Sequence, residues 1–160
     1  MLQGNQLVGF GASQAGGGGT AYRYFRVELA TLTGFPTAKR LVVLFDDTAI
    51  TSEAMTNDSS PSPYVASAGS SSGGFNPFYA FDGSDSTNWA GGTSGADEYI
   101  QQDVGSGNEA VANKLILKIN GTNAPGEITV KGSNNGTDFD TLYNESGLSW
   151  TSSEEKTFNF

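Results

Sequence analysis

Apolar residues of this 160-residue chain fall in short runs, some of which repeat every second position. Phe25, Val27 and Leu29 alternate with Tyr24, Arg26 and Glu28. Successive side chains of an extended strand point to opposite faces, so this period describes a strand with one buried and one solvated face. Residues 114–119 repeat it, with Leu115, Leu117 and Ile119 set against Lys and Ile. Leu41, Val42, Val43, Leu44 and Phe45 form an unbroken apolar run that ends at Asp46 and Asp47. That run predicts a strand buried on both faces, or an edge covered by a partner. Further strands are expected over residues 98–103, 128–131, 139–143 and 157–160. A short one is expected at 65–68, inside an otherwise loop-like stretch over 51–79. Asn134, Asn135 and Gly136 predict a tight turn, because Asn-Gly tolerates positive φ at both central positions. With 22 Gly favouring turns and no long helix-period segment, the expected class is all-β, an antiparallel β-sandwich.

Several chemistries are excluded by what the chain lacks. It has no Cys, so neither a disulfide nor a thiol nucleophile is available. It has no His, the commonest general base and transition-metal ligand. Its 8 basic and 17 acidic residues give a net charge of −9, the opposite of a phosphate-binding surface, so nucleic acid is not an expected partner. No run approaches the roughly 18 apolar residues of a membrane span. No basic region followed by a long apolar stretch stands at the N-terminus, so no secretory signal is read.

Residues 1–20 form a distinct segment. Leu2, Leu7, Val8 and Phe10 precede the glycine run that ends at Gly19. Two readings stay open: a frayed terminus, or a docking arm whose apolar residues insert into a partner. Residues 21–160 are then the sandwich.

Residues 80–105 carry the densest pattern. Ala80, Asp82, Gly83, Asp85, Thr87 and Trp89 are followed by Tyr99, Ile100, Gln101, Asp103, Val104 and Gly105. Asn113 to Ile119 come next, then Pro125 with Ile128, Thr129 and Val130. Gly132 to Gly136 follow, with Phe139 and Leu142. In this order they resemble the discoidin, or coagulation-factor type C, domain of the galactose-binding-like jelly rolls. The resemblance covers about half the chain. It implies a jelly-roll sandwich. One feature departs from the family. The segment from Tyr22 to Val27 and the run from Leu41 to Phe45 look like the family's closing strands, yet here they come first. This permuted order, with a Gly-rich apolar leader, is similar to modules in tailed-phage virion proteins.

The resemblance implies a position on a virion, in a fibre, spike or head decoration. Its partners would be other virion proteins and its own copies, held by the arm at Leu2, Leu7, Val8 and Phe10, with a host surface glycan as a further ligand. Relatives often hold a structural calcium in the loop that here contains Asp82, Asp85 and Thr87, and hard cations take such oxygen ligands. Relatives also add a Glu from a later strand, but the positions from Lys39 to Val42 carry no acid. Lys39 or Arg40 could pair with Asp82 instead, and the Asp side chains could simply cap backbone amides.

For ligand contact the candidates are Phe75, Asn76, Phe78 and Tyr79, since aromatics stack on sugar faces, together with Asn123 in a second tip loop. The competing reading makes Phe78 a plug for the end of the sandwich. Trp89 reads as core, whereas Trp150 sits amid Ser and Thr and could be exposed. The family's galactose and fucose sites rely on His and Arg clusters, which this chain cannot supply. Asp97 and Asp103 are available for glycoside hydrolysis, but nothing in the sequence places them across a cleft. The expected function is therefore a non-enzymatic virion structural protein with a glycan-binding surface. The alternatives are a carbohydrate-binding module of a bacterial surface protein and a small glycosidase.

Overall fold

The alternation that starts at Tyr24 becomes strand β1 (Tyr24–Ala30) in a computed structural model that describes residues 19–30 and 33–160. Ten further strands follow. They are β2 (Thr37–Ala38), β3 (Arg40–Phe45), β4 (Thr48–Ala49), β5 (Val65–Ala68), β6 (Trp89–Ala90) and β7 (Glu98–Asp103), then β8 (Lys114–Lys118), β9 (Glu127–Ser133), β10 (Asp140–Ser146) and β11 (Glu155–Asn159). The described residues contain no α-helix, only a single 3-10 turn at Pro77–Ala80. None of their helical segments is long and apolar enough to cross a membrane.

All strand pairs are antiparallel. One sheet has five strands in the order β10-β9-β1-β7-β5, and the other has four in the order β11-β8-β3-β4. The chain is thus an all-β antiparallel sandwich, as the period-two runs require. Phe25, Val27 and Leu29 meet Ile100, Ile128 and Val130 in the core, with Leu41, Val43, Leu115, Leu117 and Phe158 from the opposite sheet. Each such apolar side chain contributes about 1.5–3 kcal/mol when fully buried. Leu41 through Leu44 are all buried. Leu41 and Val43 belong to the core, and Val42 and Leu44 lie opposite Ile116 and Lys114 on the other face. This is the doubly buried strand of the two readings, since β3 lies between β8 and β4.

Three local features differ from expectation. The β9–β10 connection is not a two-residue turn. Gly136 has φ 74°, but Asn135 is not in the positive-φ region. Instead the Asn135 side-chain oxygen accepts hydrogen bonds from the amides of Thr137 and Asp138, both at 2.9 Å. That side-chain cap stabilises a longer loop and delays the return strand to Asp140. A true two-residue hairpin occurs at Asp46 and Asp47, where Asp46 takes φ 52° and Phe45 pairs with Thr48. A small third sheet of β2 and β6 was not legible, because two-residue strands carry no period.

The first strand among the described residues, β1, lies in the middle of its sheet. Both ends of the described residues lie against the segment from Val111 to Asn113. Gly19 lies against Val111, and the Phe160 amide donates to the Asn113 carbonyl at 2.8 Å.

Candidate functional site

The loop between the 3-10 turn and β6 is closed by its own side chains. Asp82 Oδ1 accepts the Ser84 amide at 2.8 Å and Asp82 Oδ2 accepts the Thr87 hydroxyl at 2.6 Å. Asp85 turns away from them. Its carboxylate accepts Lys118 Nζ at 2.6 Å and its carbonyl accepts Lys39 Nζ at 2.9 Å. The hydrogen bond from Lys118 holds the Asp85 carboxyl below the usual carboxylate range. Arg40 does not reach Asp82; it bridges Glu53 at 2.6 Å and Glu155 at 3.0 Å. The alternative pairing of Lys39 or Arg40 with Asp82 is therefore replaced by other partners. These residues do not fit calcium. The oxygens of Asp82 are both committed, and two ammonium groups already sit on Asp85. No group of three or more acidic, His or Cys side chains suited to a metal exists among the described residues.

Trp89 is fully buried beside this loop, and its indole N–H donates to the Ser70 carbonyl at 3.2 Å and the Ser71 hydroxyl at 3.1 Å. Trp150 is half-buried, and its N–H donates to the Pro125 carbonyl at 2.8 Å.

The candidate contact loop divides in two. Phe75 is 42% exposed and Asn76 is exposed as well. Phe78 packs against the core, so it acts as the plug, and its ring lies 4.3 Å from that of the half-buried Tyr79. A ladder of hydrogen bonds ties this loop to others at the same end of the sandwich. Phe75 N donates to Ser72 O, Ser72 N to Ala90 O, and Gly91 N to Pro36 O, at 2.8–3.0 Å. Asn123 joins through its carbonyl, which accepts the Thr37 hydroxyl at 3.2 Å. The resulting rim also presents Phe35, 43% exposed, which sequence reasoning missed because Phe35 lies in a loop without period.

A second surface was missed for a different reason. The polar halves of the alternating strands share the outer face of the five-stranded sheet. Tyr99, Glu28, Thr129 and Asn144 form one row across β7, β1, β9 and β10, and Gln101, Arg26 and Lys131 form the next. Arg26 is held between two rings, its guanidinium carbon 3.8 Å from the Tyr99 centroid and 3.9 Å from that of Phe139. Arg26 Nε also donates to Gln101 Oε1 at 3.0 Å. Beside Tyr99 lies a groove of about 550 Å³ lined by Glu28, Gly69, Asp97, Glu98, Glu127 and Thr129 as well as Tyr99 itself. The signal for this face was present as alternation, but which polar residues become neighbours depends on strand order.

Asp97 and Asp103 are not brought together. Asp97 precedes the six-residue strand β7 and Asp103 ends it, a separation of about 20 Å. Glycosidase carboxylates stand about 5–9.5 Å apart. The docking-arm residues Leu2, Leu7, Val8 and Phe10 lie outside the described residues. Comparison with protein-family models, curated proteins and solved structures finds no match.

Proposed function

We propose that this chain is a non-catalytic binding module of a phage virion, a fibre, spike or head-decoration component whose surface contacts glycans. The observation that carries the binding part is the rim, where hydrogen-bonded loops hold Phe35 and Phe75 exposed to solvent beside Asn76. Exposed rings next to amides suit polyhydroxylated ligands, which offer apolar faces and hydroxyl edges. The virion part rests on the resemblance to permuted discoidin-like modules. Two features support it: β1, the first strand among the described residues, is central in its sheet, and Gly19 and Phe160 lie on the same short segment, Val111 to Asn113. Adjacent ends are what a permuted sandwich needs.

The test is whether the chain is part of a particle. An antibody against it should label purified virions, and a chain lacking residues 1–18 should fold but fail to incorporate. Detection only on a bacterial surface, never on particles, would replace this reading with the carbohydrate-binding module. Incorporation of the shortened chain would remove the docking role of the arm.

A further inference from the structure

We infer that the groove beside Tyr99, on the outer face of the five-stranded sheet, is a second glycan-contacting site, and that it selects neutral or amino sugars over acidic ones. This rests on the glycan-binding reading above and adds to the rim a contact surface on the sheet.

The groove has the size of a small-ligand site, within the range of about 300–1,000 Å³. Its aromatic wall is fixed before any ligand arrives. Arg26 covers one side of the Tyr99 ring, Phe139 covers Arg26 in turn, and Gln101 fixes the guanidinium by hydrogen bond. A ring held in this way loses little rotamer freedom on binding. The chain also keeps the wall open. A Cβ at Gly69 would lie 2.4 Å from Glu98 Oε2 and 3.1 Å from the Tyr99 ring, so a side chain there would displace both.

The polar lining sets the selectivity. Glu28 stands between Tyr99 and Thr129 in the register, and Glu98 and Glu127 complete the wall. Carboxylates accept hydrogen bonds and donate none when ionised, so they match sugar hydroxyls and ammonium groups. Of the nearby cations, Lys131 is already paired with Glu28 at 2.8 Å, and Arg26 is covered on its two faces by the Tyr99 and Phe139 rings. A uronic or sialic carboxylate would meet like charges in the groove, on a protein of net charge −9.

The test uses an array of immobilised neutral, amino and acidic oligosaccharides probed with the full chain and three variants. Neutral or amino sugars should bind and uronic or sialic ones should not. Tyr99→Ala should weaken binding at least about ten-fold, with thermal melting monitored in parallel. Thr129→Trp, which fills the groove and suits a strand, should do the same if Tyr99→Ala proves unstable. Phe75→Ala tests the rim in parallel. Loss of binding in Phe75→Ala with full binding in Tyr99→Ala would overturn the groove and leave the glycan reading standing at the rim. Equal binding of acidic sugars would overturn the selectivity. Binding to no member of the array would overturn the groove and the glycan reading together.

Discussion

The guanidinium of Arg23 donates two hydrogen bonds to the carboxylate of Asp103, from Nε at 2.7 Å and from Nη2 at 2.6 Å. Arg23 belongs to the aromatic-basic segment that opens the sandwich, and Asp103 to the Asp-x-Gly that ends β7. The two are 80 positions apart in sequence and meet because Tyr24 of β1 pairs with Asp103. Asp103 Oδ1 also accepts the Gly105 amide at 2.8 Å. Gly105 takes φ 87°, and a Cβ there would lie 2.4 Å from Pro63 Cβ, so the motif needs both its acid and its glycine.

Asp103→Ala leaves the buried Gly105 amide without its acceptor, which should cost about 1–3 kcal/mol in chemical denaturation. Burial pushes the Asp103 carboxyl up, but Arg23 and the Gly105 amide together hold it below the usual carboxylate range. Its folded pKa is thus lower than its unfolded value of about 3.9. The stabilisation is present in full above that unfolded value and is lost as pH falls through the folded one. The stability gap between the parent and Asp103→Ala should therefore be constant near neutrality and shrink in acid. A gap that widens below pH 4 (roughly the unfolded value) would contradict the bridge.

Gly132 on β9 faces the ring of Tyr22. A Cβ at Gly132 would lie 2.5 Å from Tyr22 Cγ and Cδ2, atoms too close to the Tyr22 backbone to swing aside. The ring is buried and its hydroxyl donates to Asp140 at 2.8 Å. Gly132→Ala should destabilise by about 1–3 kcal/mol through overpacking. In a Tyr22→Ala background the same substitution should be close to neutral, and a double-mutant cycle measures the coupling. Additive costs would show that the ring is not the obstacle.

The loop of Asp82, Asp85 and Thr87 should be indifferent to calcium, because its oxygens already accept a hydroxyl, an amide and two ammonium groups. Thermal melting should coincide in millimolar calcium and in chelator. Thr87→Val removes one donor to Asp82 and should lower stability by about 1 kcal/mol in both conditions. A saturable rise in melting temperature with calcium would restore the metal reading.

Much of the fold was legible because strand periodicity is a local property. Tyr24 to Leu29, Leu41 to Phe45 and Lys114 to Lys118 appear as strands where their alternation or apolar run placed them. The β9–β10 loop was misread because the backbone preference of Asn-Gly competes with the capping power of the Asn135 side chain, and the cap prevailed. Gln102 is an instructive omission. It is fully buried, accepting the Ser52 amide at 2.6 Å and donating to Met55 Sδ at 3.0 Å. Nothing in the local pattern marks a polar residue whose partners come from a loop some 50 positions away.

The loop carboxylates and the aromatics near Phe75 were visible as candidate residues, but their partners were not. Alternation, turn residues and the absence of Cys and His determined the fold class and removed whole classes of chemistry. Those properties depend on which residues are present and on spacings of a few positions. Tertiary structure alone decided that Lys118 and Lys39 face Asp85, that Phe78 plugs while Phe75 protrudes, and that Tyr99, Glu28 and Thr129 share one face. Each of these depends on strand order in the sheets, which joins residues distant in sequence and is set by packing of the whole core.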